Sequence, residues 1–487
     1  MPASETSPLL SREPRSPFPS IDNALLRLGG RVDRVSIEDI CLRDVGDICK
    51  ETAFRLVVLL ELRARKLRQR PPSDRDVWSH SAQLAPNEVE KSLLDEQVIK
   101  TWELFLDEYR TTAEIEQVLW ASFAVDDTAA RLVRVVDLLN DDHPSPLICH
   151  QVVILSLADL WHHAPSRALS ARTNSTSGVG LRYDAICTPR VLHAVDLAAH
   201  LTYFSLLVSY VLHPPSQPTI SGKGLDFIGP REILLMVFSA SILIRPRTLF
   251  NIPFAVTLLL FLFSLPAVPF AGSLSFYVLL FCFAFHAFEF HYPHAPSPLF
   301  LFKVQHTLPF AGFLAHGFSH IVFPIVLFFI PIGFLATFWL SMALADTFFA
   351  PPSLITLTSF APTPIETRTT VLMMFFGVCF AVFCSLFIFV VQGNGLYANV
   401  SGWDVYSPRV GRDARVAFVR TVVAYSSPYT FPAPFSILQA VLIGVPSFAL
   451  GSLGFRPPFA QAEKLLWRMT VGPVGLVFGL AMFLLPN

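Results

Sequence analysis

The sequence predicts an all-α, polytopic membrane protein with six transmembrane helices, eight if a C-terminal apolar pair also crosses, and a helical cytosolic N-terminal domain. Three observations lead there. The 487 residues are 53% hydrophobic and 15% charged, against about a quarter charged in ordinary soluble domains. Residues 1–190 carry 51 of the 73 Lys, Arg, Asp and Glu, whereas 191–487 carry 22. Of the 45 Phe, 41 lie beyond residue 190, in apolar runs long enough to cross a bilayer. A net charge of −1 with no basic domain offers nucleic acid no binding face. Seven Cys without a CxxC pair suit reduced, packed thiols better than a disulfide framework or a zinc site.

Residues 1–20 are rich in Pro and Ser, lack the apolar run of a signal peptide, and read as a disordered tail. Within it Glu5, Leu9 and Leu10 have the ExxxLL spacing of an acidic dileucine sorting signal. An extended peptide of that form offers one carboxylate and two leucines to separate pockets, and predicts an endosomal or vacuolar membrane. Residues 21–163 form the helical cytosolic domain, with Leu56, Leu59, Leu60 and then Leu132, Val135, Val136, Leu139 at helical spacing. Arg63, Arg65, Lys66, Arg68 and Arg70 close its first long helix, where the macrodipole favours cations. They are candidate contacts for anionic lipid headgroups. Residues 164–190 are a linker.

A four-helix membrane unit follows at 191–292, with spans at 191–213, 230–244, 248–270 and 273–292. Residues 293–317, with Lys303, His306, Pro309 and His316, read as a linker along the interface. Spans five and six, at 318–345 and 369–392, belong to a pore-type helix-loop-helix over 318–393. A cytosolic segment, 394–434, and a C-terminal hydrophobic pair, 435–487, complete the chain. With the N-terminus cytosolic, the cytosolic loops hold Arg245, Arg247, Lys303, Arg409, Arg412, Arg415 and Arg420, and the opposite loops hold only Lys223 and Arg368. That asymmetry sets the orientation. The C-terminal pair would put Arg456, Lys464 and Arg468 on the wrong side if both helices crossed, so it reads as an interfacial or re-entrant pair.

The loop 346–368 is too short and polar for a span yet unusually apolar for one facing water, so it reads either as an ordinary extramembrane loop or as one that dips back to membrane depth. Loops at membrane depth survive only where protein or a water-filled pore surrounds them. Its acids, Asp346 and Glu366, stand at its two ends as candidate pore-mouth carboxylates; it contains four Pro and no Gly, so it lacks a Gly-acid filter element. On span one, His193, Asp196 and His200 share a helical face and form a candidate regulatory cavity. His286, Glu289, His291 and His294 cluster at the end of span four, and His316 and His320 are four apart. Those histidines support a second reading, an intramembrane metalloenzyme; the plainer one is histidines solvated at the interface. No metal ligand, catalytic residue or cofactor is assigned.

Specific stretches carry a resemblance. RYDAICTPRVLHAVDLAAH (182–200) resembles the entry to the first span in the fungal vacuolar TRP-type cation channel family, and RLVRVVDLLN (131–140) resembles part of its N-terminal domain. PYTFPAPFSILQAVL (428–442) is similar to the motif that follows the sixth span there, and LLWRMTVGP (465–473) to its continuation. The resemblance implies a calcium-permeable, TRP-like channel of the vacuolar membrane, assembled as a homo-tetramer among membrane lipids. Span six would line the pore, and gating would pass from the N-terminal domain through 297–317 to span five. A non-conducting membrane scaffold is the third reading.

Overall fold

The computed structural model describes residues 21–28, 40, 47–68, 77–125, 131–140, 144–163, 186–215, 228–244, 251–265, 268–290, 292–294, 296–319, 373, 377, 401–426, 429–452 and 459–484. Glu5, Leu9, Leu10, Arg70, His291, His320, Asp346 and Glu366 lie outside the described residues, as do spans five and six apart from Phe318, Ser319, Met373 and Gly377. The chain divides into two compact units, one of residues 1–290, 294–301 and 415–487, the other of 291–293 and 302–414.

In the first unit α1 (Asp22–Leu28), α2 (Ile48–Arg68), α3 (Val77–Leu106), α4 (Thr112–Trp120), α5 (Val135–Leu139) and α6 (Gln151–His162) make the N-terminal helical layer. Helix α2 is apolar nearly all round from Phe54 to Leu62, so it is central, and α3, α4 and α5 pack on it. A capping box starts α4: the Glu114 amide donates to Thr111 Oγ1 (3.4 Å) and the Thr111 amide to Glu114 Oε2 (2.7 Å). The helix read at 131–140 is split. Leu132–Val133 pairs antiparallel with Phe123–Ala124 as a two-stranded ribbon (β2 with β1), and only Val135–Leu139 is helical. A two-residue strand is too short to show an alternating pattern, so helical spacing hid it.

Four apolar helices follow in the same unit: α7 (Pro189–Leu212), α8 (Pro230–Leu243), α9 (Ile252–Ser264) and α10 (Leu274–Glu289). Each packs on its neighbour in sequence and α10 returns to α7, closing a ring around Tyr203, Leu207, Tyr210, Leu235, Phe261 and Leu279. Thr188 caps α7 by accepting from the Val191 amide (3.3 Å), and Pro189 sits at its first turn, where a missing N–H costs nothing. The third apolar run is longer than its helix, because Pro266 and Pro269 follow Ser264 and cannot continue the hydrogen-bond ladder. The long helices α13 (Phe435–Ser452, with a π turn over Ala440–Gly444) and α14 (Ala460–Leu484) end the unit. Among the described residues three helices are long and apolar enough to cross a membrane: Pro189–Leu212, Phe435–Ser452 and Gln461–Met482.

The second unit contains α11 (Val304–Gly317), inside the stretch read as an interfacial linker, and the turn at 401–407. The Phe313 and Tyr406 rings stack at 4.7 Å, and Gly312 faces Val410. Residues 408–426, read only as cytosolic segment, form α12 (Pro408–Ser426), whose residues are shared between the units. Its Val410, Ala414, Phe418, Val422 and Tyr425 are buried, while Arg409, Arg412, Asp413 and Arg420 are exposed. That spacing is one apolar stripe of an amphipathic helix.

Candidate functional site

The polar residues of the first span come together as a sealed junction. His193, Asp196 and His200 lie on one face of α7 and are all buried, Asp196 and His193 completely. A buried carboxylate must find donors or pay heavily for lost water. Asp196 finds two from beyond the sixth predicted span: Tyr425 Oη donates to Oδ2 (2.6 Å) and the Ala433 amide to Oδ1 (3.2 Å). His200 Nδ1 donates to the Asp196 carbonyl (2.8 Å) and stands 3.8 Å from Oδ1.

One turn earlier, His193 Nε2 donates to the Ser297 carbonyl (2.9 Å), which fixes that nitrogen as the protonated one. Three rings surround the imidazole: Phe300 at 5.4 Å, Tyr425 at 5.3 Å and Trp161 at 5.5 Å. Trp161 also meets Phe418 edge-on at 6.1 Å. Four chain segments therefore meet at His193: α6 of the N-terminal layer, α7, the turn after α10, and α12. Aromatic pairs of this kind contribute about 0.5–1.5 kcal/mol each beyond their area.

Around that centre, α12 is bonded to the N-terminal layer. Arg420 Nε donates to Asn140 Oδ1 (2.9 Å), and the buried Arg415 reaches Cys149 Sγ (3.9 Å). Arg190, at the head of α7, donates to the Leu301 carbonyl (3.1 Å) and to His162 Nδ1 (3.3 Å). Burial holds the His162 imidazole below its usual range, and the Arg190 charge pushes the same way. Accepting from a guanidinium requires that neutral form.

A second polar layer lies within the four-helix ring. Glu289 accepts from His294 Nε2 (3.1 Å) and lies 3.7 Å from His286 Nδ1, while Tyr203 Oη and His286 Nε2 are 3.3 Å apart. His200, Tyr203, Phe254, His286 and Glu289 line a small cavity there. Among the described residues no three His, Cys, Asp or Glu side chains converge as a metal-binding group. Three cations of the run on α2 pair within the domain: Arg63 with Asp95 (2.7 Å), Lys66 with Glu90 (2.8 Å) and Arg65 with Glu61 (3.3 Å).

The structure places His193, Asp196 and His200, read in the sequence as one helical face, on α7 and shows which way each turns. His200 reaches the cavity, whereas His193 and Asp196 turn toward α12. Their partners Tyr425, Ala433 and Ser297 were missed. The recurrence of Val410, Ala414, Phe418 and Val422 every four residues was the signal that could have revealed α12.

No protein family and no curated protein matches the chain. Among solved structures, it is similar to the thermo-sensitive TRP channel TRP1 of the alga Chlamydomonas reinhardtii in nanodiscs, at 15% identity and a TM-score of 0.42. The match covers 88% of this chain and 60% of that one.

Proposed function

We propose that the chain is a subunit of a gated, calcium-permeable cation channel of the TRP-like type, a homo-tetramer in a vacuolar or endosomal membrane with its N-terminus in the cytosol. The observation that supports this reading most is the double attachment of α12. This helix follows the predicted sixth span in the chain. On one side it is bonded to the first span through Tyr425 and Asp196, and on the other to the N-terminal layer through Arg420 and Asn140. In this reading, movement of the last span reaches the first span and the N-terminal layer through α12. Asp346 and Glu366 are the proposed mouth acids, attracting cations as fourfold rings, with Glu5, Leu9 and Leu10 directing the protein to its membrane.

The test is a current. Purified protein reconstituted in planar bilayers should conduct cations, with conductance reduced by Asp346→Asn or Glu366→Gln and open probability altered by Tyr425→Phe at unchanged conductance. Correctly inserted protein that conducts nothing across the stimuli of voltage, calcium and temperature would overturn the reading.

A further inference from the structure

We infer that helix α13, Phe435–Ser452, is immersed in the hydrocarbon of the lipid bilayer, with acyl chains as its partner over most of its circumference. The inference does not depend on whether the protein conducts. From Val441 to Ala449 nearly every residue is open; Val441 is 57%, Leu442 55%, Val445 63% and Phe448 81% exposed. Residues 441, 442, 445 and 448 step round the helix rather than along one stripe, and no charged residue occurs between Phe435 and Ser452. A helix lying on the membrane surface needs a polar face toward water. This one has none, so the interfacial alternative fails on composition and geometry together.

The few polar side chains behave as hydrocarbon requires, since no water is there to satisfy them. Ser447 Oγ donates back to the Gly444 carbonyl (2.9 Å) and Ser452 Oγ to the Ala449 carbonyl (2.7 Å). The hydroxyls on the open side of the first span do the same: Thr202 Oγ1 to Ala198 and Ser205 Oγ to Leu201, each at 2.8 Å. At the root of α13, Gln439 Nε2 donates to Glu463 Oε1 (2.7 Å), and Ser436 donates to the Ser241 carbonyl of α8 (2.7 Å). The named polar contacts of α13 with other helices are therefore made at its root, and the distal hydroxyls are satisfied within the helix itself. Eighteen residues at a rise of about 1.5 Å each give roughly 27 Å, close to the hydrocarbon thickness.

The experiment places the photo-cross-linker p-benzoylphenylalanine at Val441, Val445 and Phe448, one at a time, in the full chain in phospholipid nanodiscs. Leu201, on the open face of the first span, is the lipid-facing reference, and the fully solvated Tyr109 is the water-facing one. Mass spectrometry should find one-phospholipid adducts at all three positions, at Leu201-like yield and about tenfold above Tyr109, because an all-apolar surface is stable against acyl chains and not against water. Chain-to-chain adducts at two or more positions would overturn the inference in favour of a second copy. Yields no better than at Tyr109 would overturn it in favour of a helix outside the bilayer.

Discussion

Tyr425 places its hydroxyl 2.6 Å from Asp196 Oδ2 across 229 residues of chain, with both side chains buried. The bond is doubled by the Ala433 amide on the other carboxylate oxygen. Hydrogen bonds to charged groups contribute about 1.5–3 kcal/mol, and a stranded buried donor costs a further 1–3 kcal/mol or so. Tyr425→Phe removes one bond and leaves the buried Asp196 Oδ2 without that donor, while the Ala433 amide still serves Oδ1, so it should lower stability by about 1.5–3 kcal/mol. Asp196→Ala leaves the Tyr425 hydroxyl and the Ala433 amide without their acceptor and should cost more. Thermal unfolding in nanodiscs, followed by tryptophan fluorescence, should rank wild type above Tyr425→Phe above Asp196→Ala. Equal midpoints for the two variants would show that the carboxylate does not organise this junction.

The N-terminal layer contains two carboxyl groups that should respond oppositely to acid. Burial raises Asp95, and the attraction of Arg63 only partly offsets this. A carboxyl with a raised folded-state pKa contributes stability that is present below the ordinary carboxylate range and is lost as pH rises through the raised value. Glu114 is lowered by hydrogen bonds from the Thr111 amide and then its hydroxyl, so its contribution is present above the ordinary value and is lost as pH falls through the depressed one. Glu114→Gln should therefore flatten the acid-side rise in hydrogen exchange at the first-turn amides of α4, after correction for intrinsic rates. Asp95→Asn should not touch those amides. It should instead abolish the loss of global stability as pH rises through the raised Asp95 value, because the amide no longer ionises.

How far the chain could be read in advance depends on the distance over which each signal acts. Leu56, Leu59 and Leu60 announce the buried α2 because their spacing is local, and all three are buried. His193, Asp196 and His200 announce a shared face for the same reason. What they bind was illegible: Ser297, Tyr425 and Ala433 lie 104, 229 and 237 residues from their respective partners, and no periodicity spans such gaps. Helix α12 escaped because its many arginines hide it from any search for membrane spans, although its apolar stripe was present throughout. The third apolar run shows the converse. Hydropathy continues to residue 270, but backbone chemistry stops the helix at Ser264.

Two glycines of the second unit should differ sharply in their tolerance of alanine. A Cβ on Gly411 would sit 2.6 Å from the Trp403 carbonyl oxygen and collide with the Asp404 carboxylate, and a backbone atom cannot step aside. Overpacking of this kind costs about 1–3 kcal/mol. At Gly312 the nearest atom would be Val410 Cγ1 at 3.5 Å, an ordinary contact, and in a helix interior alanine gains up to about 1 kcal/mol over glycine. Gly411→Ala should therefore destabilise and Gly312→Ala should be neutral or stabilising. Parallel melting curves check both, and a tolerant Gly411 would mean that the 401–407 turn is not held against the start of α12.

The stack of Phe313 on Tyr406 gives the last prediction. The rings lie 4.7 Å apart at 16° and join α11 to the turn that precedes α12. Offset stacking contributes about 0.5–1.5 kcal/mol beyond buried area and does not use the phenol oxygen. Tyr406→Phe should then keep the join, and Tyr406→Ala should lose it. If α11, inside the 297–317 stretch, carries gating as the family resemblance implies, Tyr406→Ala should shift the open probability of the reconstituted channel by roughly two- to tenfold, the factor that 0.5–1.5 kcal/mol allows, with single-channel conductance unchanged. Tyr406→Phe should match wild type in both. A loss of conductance in Tyr406→Ala, rather than a change in gating, would place this residue's influence on the pore itself and remove α11 from the gating path.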